Sequence, residues 1–142
     1  MKIMVLNGPN LNMLGIREPE KYGDKDYSAL ETFIEECFEE NNIDGVCLQS
    51  NSEGEIIDFI HHAYTNYDAI VINPGAYTHY SYAIYDALLA VNLPTVEVHL
   101  TDISQRDEFR KISVIAPACK TQIKGHGFEG YKMAIEYLIN NK

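Results

Sequence analysis

With 142 residues, 46% of them apolar, the chain is long enough for one domain, residues 1–142, that buries about two-thirds of its unfolded surface. A formal net charge of -10 argues against nucleic acid or an anionic membrane as partner, since both attract a basic face; a small anionic substrate in a cleft with a few local cations stays open. The start MKIMVLNG lacks the charged and long apolar regions of a secretory signal, and no apolar run approaches the ~20 residues of a membrane helix; three cysteines without CxxC spacing, Cys37, Cys47 and Cys119, read as reduced core thiols of a cytoplasmic protein.

Residues 3–6, Ile-Met-Val-Leu, predict the first strand. The segment behind it, NGPNLNMLGIREPEKYG, is long and polar, and loops of that length inside a compact domain are either functional or disordered. Leu30, Phe33, Ile34, Cys37 and Phe38 then repeat at helical spacing, with Ser28 and Glu31 as a capping box. Residues 45–49 predict a second strand, and 55–64 a second helix with Ile56, Ile57, Ile60 and Ala63 on one stripe. Residues 69–73 are nearly all apolar, as suits a parallel strand covered on both faces. A helix over 82–91, a strand over 95–99, a last strand over 113–116 and a last helix over 131–138 complete the pattern. The run Gly125-His-Gly-Phe-Glu-Gly130 matches GxGxxG, but a dinucleotide fingerprint needs an acidic residue about 20 positions on, which this sequence does not supply; these glycines read as a turn. Strands alternating with helices imply right-handed βαβ units in a doubly wound parallel sheet, whose ligands bind beyond the carboxyl ends of the strands.

Polar residues gather at those ends. Asn7-Gly-Pro-Asn10, with Arg17 and Tyr22, follows strand one; Gln49-Ser-Asn-Ser-Glu53 follows strand two; Asn73-Pro-Gly-Ala-Tyr-Thr-His79 follows strand three; Glu97-Val-His99, then Leu100 and Thr101, close strand four, with Arg106 and Arg110 beyond. Taken singly, Asn, Gly and Pro behind a strand are ordinary turn chemistry. Glu97 and His99, two apart, share a face of their strand. A carboxylate beside an imidazole holds it in one tautomer, which suits a general acid and equally a structural pair. The neighbours His61 and His62 share no helical face, which argues against a metal site there. A free tyrosine, with a pKa of about 10, is a poor base at neutral pH, but a guanidinium nearby favours the phenolate, so the Arg17–Tyr22 pairing is either a base or an idle surface loop.

Together these pieces resemble the type II 3-dehydroquinate dehydratases (type II dehydroquinases) of the shikimate pathway. The matching motifs are NGPNLNMLGIREPEKYG, QSNSEGEIIDFIH, INPGAYTH, VEVHLTD, QRDEFRKIS, APACK and the late GY, in order through nearly the whole chain. The resemblance implies an α/β, flavodoxin-like five-stranded parallel sheet of order 2-1-3-4-5, a homododecamer built as a tetramer of trimers, and no metal or organic cofactor. It implies that 3-dehydroquinate loses water by anti elimination through an enolate. Tyr22 would be the base at C2, Arg17 its activator, Asn10 the holder of a water against the enolate oxygen, and His99 the acid at the C1 hydroxyl, oriented by Glu97. Asn73 and the amides of Leu100 and Thr101 would bind the carboxylate, His79 and Arg110 the ring hydroxyls, and Asp86 would reach into a neighbouring subunit's site. The long first loop would then be a lid that carries the base in and excludes water. The sequence departs from the family at Tyr80, Tyr82, Tyr85 and Thr121. A flavin carrier of the same fold class would want a Ser/Thr-rich phosphate cradle in place of Asn7-Gly-Pro-Asn10, and a phosphoacceptor domain an Asp in place of Asn73. A non-catalytic relative would have lost Tyr22, Arg17 or His99, and all three are present.

Overall fold

The computed structural model describes residues 1–16, 25–105 and 107–142. Arg17 and Tyr22, on which the base assignment falls, lie outside the described residues, as does Arg106. Five strands, β1 (Lys2–Asn7), β2 (Asp44–Gln49), β3 (Ala69–Asn73), β4 (Thr95–His99) and β5 (Thr121–Lys124), form one parallel sheet in the order β2-β1-β3-β4-β5. Among the described residues four α-helices connect and flank them: α1 (Tyr27–Glu40), α2 (Glu53–Asn66), α3 (Tyr82–Val91) and α4 (Glu129–Asn140). This is the flavodoxin-like topology that the resemblance implied.

Alternation along the strands divides the core in two. Ile3, Val5, Ala69, Val71, Val96 and Val98 pack against Leu30 and Ile34 of α1 and Tyr131 and Ile135 of α4. Met4, Leu6, Ile70 and Ile72 pack against Ile56 and Ile60 of α2 and Ile84 and Leu88 of α3. Both faces of the central strands are therefore covered, which is why β1 and β3 read as unbroken apolar runs. The same alternation sorts the polar ends. Asn7 and Asn73 continue the α1/α4 face, whereas Glu97 and His99 continue the α2/α3 face. Register brings Gln49, Asn7 and Asn73 side by side, and the order reverses between β1 and β3, where a crevice opens.

The structure corrects several local expectations. Residues 113–116 are not a strand. The Ser113 hydroxyl accepts the amide protons of Ile115 (3.3 Å) and Ala116 (3.0 Å), and the chain turns into a short 3-10 helix, Ala116–Ala118. The edge strand is instead the more polar Thr-Gln-Ile-Lys of β5. Helix α1 is capped two residues earlier than the Ser28/Glu31 box, by Asp26, whose carboxylate accepts the Ala29 amide at 2.8 Å. Ser52 and Ser81 cap α2 and α3 in the same way. Of the GxGxxG glycines, Gly125 and Gly127 form the expected turn at positive φ (83° and 56°), and Gly130 lies in the first turn of α4.

Candidate active site

Two loops meet at the crevice because both carry glycine where they touch. The Gly8 amide donates to the Asn73 carbonyl at 2.8 Å. A Cβ on Gly8 would lie 2.6 Å from the Pro74 carbonyl oxygen, and one on Gly75 (φ 60°) would lie 3.0 Å from that of Pro9. Asn10 follows in the left-handed conformation, φ 70°. Its amide donates to Asn51 Oδ1 (3.0 Å), and Gln49 Nε2 donates to both the Gly8 carbonyl and Asn51 Oδ1 (3.1 Å each). The polar end of β2 thus braces the loop that carries Asn10.

The cavity so formed is lined by Asn10, Asn73, His79, His99, Leu100, Thr101 and Arg110, with Leu11, Leu14 and Ile103 as apolar wall. Seven residues singled out from the sequence therefore converge. Glu97 lies behind His99, fully buried, and Asp86 is exposed on α3, outside the lining.

His99 is 5% exposed, and its Nε2 is 2.5 Å from Glu97 Oε2. Thr78 Oγ1 donates to the same oxygen (2.5 Å), and Ser113 Oγ sits 2.9 Å from both carboxylate oxygens. Burial works against a charge on Glu97, but the hydrogen bond and charge of His99, with the donors Thr78 and Ser113, outweigh it and hold the carboxyl below its ordinary value. An ionised carboxylate only accepts, so Nε2 carries the proton and Nδ1 is the opposite ring nitrogen. This is a buried charge with its hydrogen bonds met, the one form in which such a group is tolerated.

Across the cavity, His79 Nδ1 is 2.9 Å from the Ile112 carbonyl oxygen. That oxygen can only accept, so the proton sits on Nδ1. Arg110 stacks its guanidinium carbon 4.9 Å over the Phe109 ring. Among the described residues its buried Nε has no hydrogen-bond partner, and Asp107 Oδ2 is 3.5 Å from it. A guanidinium thus lines a cavity in an acidic chain, an arrangement suited to a small polar or anionic ligand.

Sequence reading missed the residues that support this set: Gln49 and Asn51 beneath Asn10, Thr78 and Ser113 around Glu97, and Asn7 and Tyr131 behind Asn73. Gln49, Asn51, Asn7 and Thr78 stood in the strand-end motifs and carried a signal without a role. Ser113 was hidden by its reading as strand and Tyr131 by its reading as a helix start.

Fold and cavity define a doubly wound α/β protein with a carboxylate-held histidine in a polar cavity at the sheet's carboxyl edge. Residues 1–139 match the family model for dehydroquinase class II. The chain is 61% identical over 142 residues to the 3-dehydroquinate dehydratase of Clostridium perfringens strain 13, covering 99% of this chain and 97% of that one. It superposes on the crystal structure of type II dehydroquinase from Butyrivibrio crossotus with a TM-score of 0.96 at 55% identity, over 98% of this chain and 97% of that one. The type II dehydroquinase of Propionibacterium acnes gives 0.94 at 39% identity, over 99% and 97%. The chain belongs to the dehydroquinase class II family, a family of lyases.

Proposed function

We propose that this protein dehydrates 3-dehydroquinate to 3-dehydroshikimate in the shikimate pathway, and that residues 1–142 are its single catalytic domain. The elimination is anti and passes through an enolate. Tyr22, activated by Arg17, removes the proton at C2; a water held by Asn10 stabilises the enolate oxygen; His99 protonates the departing C1 hydroxyl, so that it leaves as water. Glu97 keeps the imidazole aligned. Asn73 and the amides of Leu100 and Thr101 hold the substrate carboxylate, while His79 and Arg110 hold the ring hydroxyls. Asp86 serves the site of an adjacent protomer in a homododecamer, and the enzyme works in the cytoplasm without a metal or organic cofactor.

The observation that carries this reading is the His99–Glu97 pair, bonded at 2.5 Å and closed in by Thr78 and Ser113, at the floor of a cavity whose other polar groups suit a hydroxylated carboxylic acid. The test is direct. Adding 3-dehydroquinate to the purified protein should produce the ultraviolet absorbance of the conjugated enone at a rate proportional to enzyme. No enone under those conditions would overturn the reading.

A further inference from the structure

We propose that Tyr131, on the last helix, is a positioning residue that fixes the direction of the Asn73 amide and so the donor this side chain offers to the substrate carboxylate. The inference rests on the role of Asn73 given above.

Tyr131 is fully buried beneath the carboxyl ends of β1 and β3. Its hydroxyl accepts from Asn73 Nδ2 at 2.9 Å and donates to Asn7 Oδ1 at 2.7 Å. Asn73 Oδ1 accepts the Gly75 amide at 3.2 Å. Asn7 Nδ2 points the other way, 3.4 Å from the Tyr27 hydroxyl and 3.6 Å from Cys47 Sγ.

The polarity of this chain follows from its one unambiguous member. A backbone N–H can only donate, so the Gly75 amide obliges the Asn73 atom facing it to be oxygen. The nitrogen of Asn73 then faces Tyr131 and donates to it. A phenol has one proton, and with Asn73 donating, that proton goes to Asn7. Asn7 must therefore present oxygen to Tyr131 and nitrogen to Tyr27 and Cys47. Burial pushes the Tyr131 phenol far above its ordinary value, against the smaller opposing effect of Asn73, so the proton stays in place and the chain keeps one direction. One N–H of Asn73 is spent on Tyr131. The other belongs to a residue that lines the cavity, where a carboxylate would take it. Flipping the amide would turn its single oxygen toward the cavity anion and Tyr131, and set two donors face to face at Gly75.

The carboxylate keeps its charge throughout the reaction, so contact with it is made equally in ground and transition states. Loss of such a contact raises KM and leaves kcat in place. The experiment is a double-mutant cycle on Tyr131→Phe and Asn73→Ala, read in KM, kcat and thermal midpoint. Tyr131→Phe should raise KM about five- to tenfold, the scale of a weakened hydrogen bond to a charged group, with kcat within about twofold. Asn73→Ala should raise KM further. Tyr131→Phe added to Asn73→Ala should leave KM where Asn73→Ala put it, while still lowering the thermal midpoint. Multiplying KM increments, or a Tyr131→Phe enzyme that loses only its thermal midpoint, would make Tyr131 a packing residue and overturn the proposal. If Asn73→Ala itself leaves KM unchanged, the carboxylate role of Asn73 fails first and the inference falls with it, a result distinct from failure at Tyr131 alone. Should Tyr131→Phe not fold, Asn7→Ala removes the acceptor that aligns the phenol and should reproduce the KM rise and its absence in the Asn73→Ala background. An unchanged KM there overturns the proposal as well.

Discussion

At the scale of single residues, Glu97 shows how a buried charge is kept and what that costs when the partners go. Its carboxyl is held below the ordinary value of 4.5 by His99, Thr78 and Ser113. A group whose folded value is lowered stabilises the fold fully above its unfolded value and loses that contribution as pH falls through the folded one. Glu97→Gln should therefore destabilise the protein at pH 7 by about 1–3 kcal/mol, because hydroxyl donors then face an amide. The gap between wild type and variant should narrow as pH drops below 4.5. Urea titrations at pH 7 and near pH 3.5 measure this, and an equal gap at both would mean that the Glu97 charge does not contribute. The proposed base is a sharper case. Tyr22→Phe should abolish turnover yet leave substrate affinity within about tenfold, since the hydroxyl acts chiefly in the transition state. Near-normal turnover would sink the assignment. What sequence alone can see is also decided at this scale. Glu97 and His99 were legible because the two-residue period of a strand puts them on one face. Tyr131 was not, because its partner Asn7 stands 124 residues away and no local period connects them.

Among the elements, the pieces that meet at the site are held by backbone approach as much as by side chains. A methyl group on Gly8 would sit 2.6 Å from the Pro74 carbonyl oxygen and 2.7 Å from its carbon, and neither backbone atom can rotate away. Gly8→Ala should therefore pry the β1 loop off the β3 loop, costing about 1–3 kcal/mol in stability. It should also lower kcat/KM by at least roughly tenfold, since Asn10 and Asn73 shift together. Gly54→Ala is the control. Its Cβ would meet nothing closer than Ser52 Oγ at 3.8 Å, and alanine is the better helix former. Equal losses in both variants would refute the interlock. The strands most legible in the sequence were β1 and β3, whose two covered faces demand apolar runs. The edge strand β5 is covered less completely and reads Thr-Gln-Ile-Lys, so the apolar 113–116 run outbid it until turn formation by Ser113 was visible. That shift also moves the lysines. Lys120 precedes β5, its amide bonded to the Thr95 carbonyl (2.7 Å) at the start of β4, so it is at the far end of the sheet from the cavity. Lys124 closes β5 in register with His99 and lies 3.8 Å from Asp102. An enolate route needs neither, so borohydride added with 3-dehydroquinate should leave activity and intact mass unchanged. A reduced lysine adduct would replace the mechanism with an imine one.

For the whole molecule, the proposed sharing of sites falls on the helix that carries Asp86. Tyr82, Asp86 and Leu89 fall at i, i+4 and i+7, one stripe of α3. All three are exposed, Tyr82 at 67% and Leu89 at 49%, and Tyr80 nearby stands at 59%. A carboxylate set between large exposed apolar groups is the pattern of an interface with a polar function inside it. The tyrosines that depart from the family thicken this stripe and leave Asp86 in place. If Asp86 completes the site of the next protomer, neither Asp86→Ala nor Tyr22→Phe is active alone, because every site in either homo-oligomer has one defect. Unfolded together in equal amounts and refolded, the two chains assort at random around each closed ring. A site then works when its own chain keeps Tyr22 and its neighbour keeps Asp86, two independent halves, so about a quarter of wild-type activity should return. Were Asp86 to serve its own protomer, every site in the mixture would still carry one lesion and the mixed sample would stay as inactive as its parents. Activity assays on refolded mixtures, with sedimentation to confirm that mixed oligomers formed, separate the two cases, and a fully active monomer would dispose of the shared site altogether.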